Sequence, residues 1–180
     1  MFTGLIRNKA LVMEVYSVPG GRKLELLLDS DSKVKIGSSI CVSGVCLTIT
    51  GKCCCVVEVE IWDDALCNST LCNVAKFEVL NIEFPLTLSS PLDGHLISGN
   101  IKCCIVLTKT IKLGLATQFT FDCPQWAIEC LDMEDNVSID GVSLTISDMH
   151  ETFIDVLIIQ HSLLNTTFKF WSLGREFNLE

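Results

Sequence analysis

Positive charge is scarce in this 180-residue chain: 13 Lys and Arg stand against 22 Asp and Glu, for a formal net charge of -9. No Lys/Arg cluster and no aromatic-basic interleaving offsets that balance, so a polyanion is repelled and nucleic acid is excluded as a partner. Long apolar runs are missing as well. The longest are interrupted well short of the roughly 20 residues a spanning helix needs, so no membrane association is expected. Met1 to Arg7 holds no basic region followed by an apolar stretch of secretory length, which makes the cytoplasm the expected location. Cysteine is plentiful, at 11, but metal-ligand spacing is not. Cys53-Cys54-Cys55 and Cys103-Cys104 are contiguous instead of forming two-residue-spaced pairs, and His95, His150 and His161 complete no ligand set. No metal is therefore expected, and most thiols should be reduced and buried as apolar filler.

What the chain does contain is a repeat. Gly44-Val45-Cys46-Leu47-Thr48-Ile49 returns 97 residues later as Gly141-Val142-Ser143-Leu144-Thr145-Ile146, and the one change exchanges a thiol for a hydroxyl. The same shift relates Glu58, Val59 and Ile61 to Asp155, Val156 and Ile158, Asn68 and Thr70 to Asn165 and Thr167, and Asn81 and Glu83 to Asn178 and Glu180. Near the start of each half the shift is 95, with Thr3-Gly4-Leu5-Ile6 answered by Ser98-Gly99-Asn100-Ile101. Two copies are too few for a solenoid, so each half, 1–90 and 91–180, should close on itself. With 49% hydrophobic and 19% charged residues, both halves can build a core.

Within the first half, Lys9 to Tyr16 and Leu24 to Leu28 read as strands across a Pro19-Gly20-Gly21 turn, and Lys33 to Ile36 leads through Gly37 into the repeated motif. Glu58 and Glu60 alternate with Val57, Val59 and Ile61, the period-2 pattern of a half-buried strand. Asp63 to Asn73 suits a short helix, Phe77 to Phe84 a strand, and Pro85 to Pro91 a linker. The second half repeats this order in Ile105 to Thr110, Gln118 to Phe121, Val137 to Ile146, Phe153 to Ile159, a polar bend at Ser162 to Thr167, and Phe177 to Glu180. Short strands at regular spacing predict an all-β fold of two barrels with few helices.

Four segments in this order, the opening MFTGLI, GVCLTIT, DGHLISGN at Asp93 to Asn100, and IDGVSLTI at Ile139 to Ile146, resemble the riboflavin synthase alpha chain family and its non-catalytic relatives, the lumazine proteins. The resemblance spans essentially the whole chain. It implies two tandem, pseudo-symmetric six-stranded Greek-key β-barrels, each holding one 6,7-dimethyl-8-ribityllumazine, with an active site between the first barrel of one subunit and the second of a neighbour. The implied reaction is a cofactor-free dismutation in which one lumazine passes a four-carbon unit to another, giving riboflavin and 5-amino-6-ribitylaminouracil. A lumazine protein would bind the same ligand without turning it over.

Carried over by position, the resemblance places Phe2, Thr3, Gly4, Leu5 and Ile6 beside the active site. It makes Ser39 a hydrogen-bonding or water-activating hydroxyl, Cys46 the candidate thiol, and Leu47 and Thr48 ring or ribityl contacts. Glu60, Ile61, Trp62, Asp63, Asp64 and Ala65 match the first lining segment. Asp140 fixes a turn, Ser143, Leu144 and Thr145 repeat the pocket contacts, and Ile159, Gln160, His161, Ser162, Leu163 and Leu164 repeat the lining segment. His95 matches the first histidine of the family's GGHxxSGH motif and is the candidate proton carrier, with Gly99, Asn100 and Ile101 following it. Structural readings compete with each role: Ser39 and Thr48 as strand-end hydroxyls, Cys46 as core filler, His95 as a hydrogen-bonding residue, and Asp140-Gly141 as a turn first. Three departures weigh on activity. The second motif histidine is Asn100, which exchanges no proton near neutral pH; the family's second-barrel lysine falls at Glu134; and the chain stops at Glu180, before the helix through which the family trimerises. A homo-oligomer is implied, with trimer and monomer both open, and a lumazine synthase is a further candidate partner.

Overall fold

The computed structural model describes residues 1–29 and 34–180. Lys33, the start of the expected approach to the motif, lies outside the described residues. Twelve strands are present among those described, divided into two closed six-stranded antiparallel barrels. The first contains β1 (Asn8–Val18), β2 (Gly21–Leu28), β3 (Ser39–Val42), β4 (Val45–Cys53), β5 (Val56–Trp62) and β6 (Val79–Glu83). The second contains β7 (Cys103–Leu113), β8 (Ala116–Asp122), β9 (Asn136–Ile139), β10 (Val142–Met149), β11 (Phe153–Ile159) and β12 (Glu176–Leu179). Around the first barrel the order is β1-β2-β5-β4-β3-β6, and around the second β7-β8-β11-β10-β9-β12. The two circuits are identical, as a duplicated Greek key requires.

Local chemistry explains the closures. Ser43-Gly44 and Asp140-Gly141 have positive φ at both residues, the backbone of a two-residue hairpin turn that matches strand twist, and they join β3 to β4 and β9 to β10. In β4 the residues Val45, Leu47 and Ile49 point inward while Cys46, Thr48 and Thr50 point out. The interiors are filled, as expected for barrels this narrow. Leu24, Leu26, Leu71, Val74 and Leu80 of the first core are answered by Phe119, Phe121, Phe168, Trp171 and Phe177 in the second, whose rings pack largely edge to face.

Short helices close the ends of the barrels: α1 (Asp63–Cys67) with a 3-10 turn at Thr70–Asn73, α2 (Gln125–Ile128), and α3 (Gln160–Asn165) with a 3-10 turn at Thr167–Phe170. The polar stretch expected as a bend at Ser162 to Thr167 is thus mainly helical, because Leu163 packs onto the barrel core. No helix among the described residues is long and apolar enough to cross a membrane. All 11 cysteines are free, but only Cys41 and Cys123 are buried. Apolar filler therefore describes a minority of them.

The barrels are joined by a pseudo-two-fold set of contacts. Asn81, fully buried, donates from Nδ2 to Asp140 O (3.0 Å) and accepts from Thr167 N (2.9 Å); Asn178, also fully buried, donates to Ser43 O (2.7 Å) and accepts from Thr70 N (2.7 Å). Each half also lends its leading segment to the other. Ile6 packs in the second core and Ile101 against the first, and an antiparallel bridge between Phe2 and Ile97 ties the two segments together.

Candidate functional site

Two clefts lie on the outside of the barrels, where the outward residues of the β4-β5 and β10-β11 hairpins meet the start of a helix. Cys46, Leu47, Thr48, Thr50, Glu60, Trp62 and Ala65 line a cleft of about 270 Å³ on the first barrel. Ser143, Leu144, Thr145, Ser147, Leu157, Ile158, Ile159 and Ser162 line one of about 350 Å³ on the second. Every residue of the first cleft has its counterpart, 97 residues on, in the second. The chemistry differs: a thiol, a carboxylate and an indole in the first become a hydroxyl and two aliphatic side chains in the second. Trp62, 70% exposed, offers its ring at the edge of the first cleft.

The crossed leading segments form the floor beside each cleft. Ser143 N donates to Gly4 O (3.0 Å), and Cys46 N donates to Gly99 O (3.0 Å). These approaches require glycine: a Cβ on Gly4 would stand 2.5 Å from Ser143 Cβ, and one on Gly99 would stand 2.4 Å from Cys46 Cβ, with φ of +77° and +87°. A carboxylate clamps each segment. Glu83 accepts from Thr3 N (2.7 Å), Thr3 Oγ1 (2.6 Å) and Gly4 N (2.8 Å), and Glu180 accepts from Ser98 N (2.8 Å), Ser98 Oγ (2.6 Å) and Gly99 N (2.9 Å). The sequence repeat paired these glutamates without revealing their task.

The linker carries His95 to the second cleft, where Nδ1 lies 2.7 Å from Ser143 Oγ. Burial, opposed only in part by the charge of Glu180, lowers its pKa from the usual 6.5, which favours the neutral ring. A further cavity of about 220 Å³ next to this pair includes Gly4, Leu5, Ile6, His161 and Ser162 in its wall.

Other expected site residues stand apart. Phe2 is fully buried with Cys41 and Ile97, where it anchors the leading segment, and burial raises the pKa of the Cys41 thiol. Ile61 is buried in the first core, and Leu163 packs on the second. Asp140 stands in the β9-β10 turn, where the sequence put it first; only 3% exposed, it sits at the barrel junction, accepts from Asn178 N through Oδ1 (2.9 Å) and lines neither cleft. Desolvation, partly countered by that N–H, pushes its pKa up to about 7.

Ser39 pairs with Thr48 across the β3-β4 ladder and shares its outward face. Asn100 donates to Ser98 Oγ (2.9 Å) at the surface. Glu134 is exposed, with φ of +69°, in the turn before β9 and belongs to neither cleft lining. Asp63, Asp64, Gln160 and Leu164 face solvent on α1 and α3. Thr50, Ser147, Leu157 and Ile158 line the clefts but were missed in the sequence. For the first three the signal was present, since each continues the outward alternation of Thr48, Thr145 or Ile159.

Similarity to known proteins runs over the whole chain. The chain is 31% identical to a riboflavin synthase of Brucella abortus (strain 2308), over all of this chain and 92% of the relative, and 25% identical to that of Bacillus amyloliquefaciens, over all of this chain and 84% of the relative. The crystal structure of LumP complexed with riboflavin matches with a TM-score of 0.92 at 21% identity, over 100% of this chain and 98% of that one. Residues 3–85 and 98–180 each match the Lumazine binding domain, so the chain belongs to the family of riboflavin synthases and lumazine proteins built from two such domains.

Proposed function

We propose that this chain is a riboflavin synthase that dismutates two molecules of 6,7-dimethyl-8-ribityllumazine into riboflavin and 5-amino-6-ribitylaminouracil. The observation that carries this reading is the cleft pair: position for position the linings correspond, yet one holds Cys46 and the other Ser143 next to His95. A reaction between two copies of one compound needs two similar ring sites that treat donor and acceptor differently. The atoms of two lumazines divide fully between the two products, so no external oxidant or cofactor is needed.

Catalysis then rests on holding the rings in reacting geometry and moving protons. Neutral His95, bonded to Ser143, is the base that takes a proton from the acidic lumazine methyl group or through the hydroxyl, and it returns a proton on the way to product. Cys46 stands beside the other ring, and Trp62 provides an aromatic face for stacking. Phe2 acts indirectly, by seating the segment that carries Gly4 under the second cleft. Residues 1–90 and 91–180 serve as two ligand-binding units, and neighbouring copies in a homo-oligomer bring unlike clefts together.

A non-catalytic lumazine- or flavin-binding protein is the second reading, favoured by Asn100, whose amide bonds Ser98 and does not titrate near neutral pH. Incubation of the purified chain with the lumazine, followed by absorbance, separates the two. Loss of the lumazine band with growth of the riboflavin band supports the enzyme; a stable complex with an unchanged ligand supports the binder.

A further inference from the structure

The two barrels solve the same electrostatic problem differently on their β5 and β11 strands. In the first, Glu58 faces Lys23 on β2, with Nζ 2.8 Å from Oε2. The equivalents in the second barrel are Asp155 and, by the 95-residue shift of the early strands, Gln118. Gln118 donates from Nε2 to Asp155 Oδ2 (2.6 Å) but brings no positive charge. Asp155 is only 4% exposed, and its Oδ1 is buried without a hydrogen-bond partner among the described residues. A buried carboxylate oxygen in that state is costly unless a cation or donor reaches it.

Two more ligand-type side chains have appeared at the same place. Asp148 stands where the first barrel has Gly51, and His150 puts an imidazole where the first barrel has the softer thiol of Cys53. One ligand atom from each of Asp148, His150 and Asp155 lies within 4.8 Å of the others, and His150 Nε2 is 3.4 Å from Asp148 Oδ2. Donors about 2.1 Å from a shared ion lie somewhat closer together than this. Asp148 and His150 are exposed enough to close the difference by rotation, while Asp155 is held by Gln118. Phe153, whose ring centroid is 4.2 Å from that of His150, orients the imidazole.

We propose that Asp148, His150 and Asp155 form a divalent metal site, of the first-row kind that accepts carboxylate and imidazole ligands together. The metal replaces the ammonium of Lys23 as the positive partner of the strand carboxylate and staples the β10-β11 hairpin. Ser147, which lines the second cleft, donates to Asp155 O (3.1 Å), so the ion would steady one wall of that cleft. The ligands come from both sides of a hairpin whose register slips between Ile146 and Asp148, which is why their spacing matches no sequence motif.

Manganese(II) is the suitable probe, because the eleven thiols favour softer ions. Chelator-treated, desalted protein is titrated with Mn2+ alone while the free-ion electron paramagnetic resonance signal is followed. One saturable ion per chain is expected, with a rise in unfolding temperature on binding. His150→Gln and Asp155→Asn should each weaken binding at least about tenfold. Gln118→Lys, which transplants the first barrel's solution, should abolish it while leaving the circular dichroism unchanged. Lack of saturation by the wild-type chain up to millimolar Mn2+ overturns the proposal, as does binding that the His150 and Gln118 variants leave intact. Neither outcome depends on lumazine turnover.

Discussion

His95 and Ser143 touch, and Cys46 lies on the other barrel, so the three should not behave alike when removed. Residues that pass one proton act as a unit, and their losses do not multiply. His95→Gln and Ser143→Ala are each expected to lower kcat by roughly 100-fold, a common size for general acid-base groups, and the double variant should be little worse than either. Cys46→Ser combined with Ser143→Ala should instead multiply. Steady-state rates of the wild-type chain and five variants, Cys46→Ser alone included, check this, and multiplicative losses for His95 with Ser143 would break the pairing. Because burial lowers the pKa of His95, the acid limb of kcat/KM should lie below 6.5 and vanish in His95→Gln.

Asp140 gives a stability prediction of its own. Its pKa is pushed up from 3.8 to about 7 in the fold, mainly by desolvation. Below 3.8 the carboxyl is neutral in both states and carries no penalty. As pH rises from there the unfolded chain ionises first, so the group costs stability at up to about 1.4 kcal/mol per pH unit until the folded pKa is passed. Asp140→Asn keeps the oxygen that accepts from Asn178 N and removes the charge. Its unfolding temperature should exceed that of wild type by more at pH 8 than at pH 5, on the order of 2–4 °C per kcal/mol recovered. An equal difference at the two pH values would mean that the folded pKa is not raised and Asp140 is already ionised in the fold at pH 5.

Among elements, strands were the most legible. β-branched alternation marked β5, the repeat carried it to β11 with its observed bounds of Phe153 and Ile159, and the Gly-containing turns marked the hairpins. Helix α3 was not legible, because Ser, Asn and Thr favour turns locally and only packing of Leu163 on the barrel makes the segment helical. The exchange of leading segments was hidden as well: nothing in Thr3-Gly4 or Ser98-Gly99 states which barrel it will lie on, since the choice is made by Glu83 and Glu180 together with the close fit at Ser143 and Cys46. The cysteines misled because thiol burial is a tendency of the residue type, whereas Cys46, Cys53 and Cys67 occupy outward positions. Gly99→Ala tests the segment contact. With positive φ and a Cβ 2.4 Å from Cys46, it should cost about 2 kcal/mol or more in denaturant unfolding and weaken ligand binding at the first cleft. An unperturbed variant would show that the segment does not need its approach to β4.

At the scale of the molecule, duplication produced two equal circuits of strands whose contents then diverged. The second barrel took aromatic residues into its core, where the first kept leucine and valine, and it exchanged the lysine-carboxylate pair of the first for a neutral glutamine and a cluster of ligand residues. The clefts kept their shape while their reactive groups separated, and Asn81 and Asn178 with the crossed segments hold the halves as one body. Such a molecule suits a reaction between two identical guests held in unlike seats. The most direct measurement is the product balance when purified protein and 6,7-dimethyl-8-ribityllumazine are the only components. Two lumazines consumed for each riboflavin and each 5-amino-6-ribitylaminouracil formed is the predicted result; lumazine bound and recovered unchanged after denaturing the protein would contradict it.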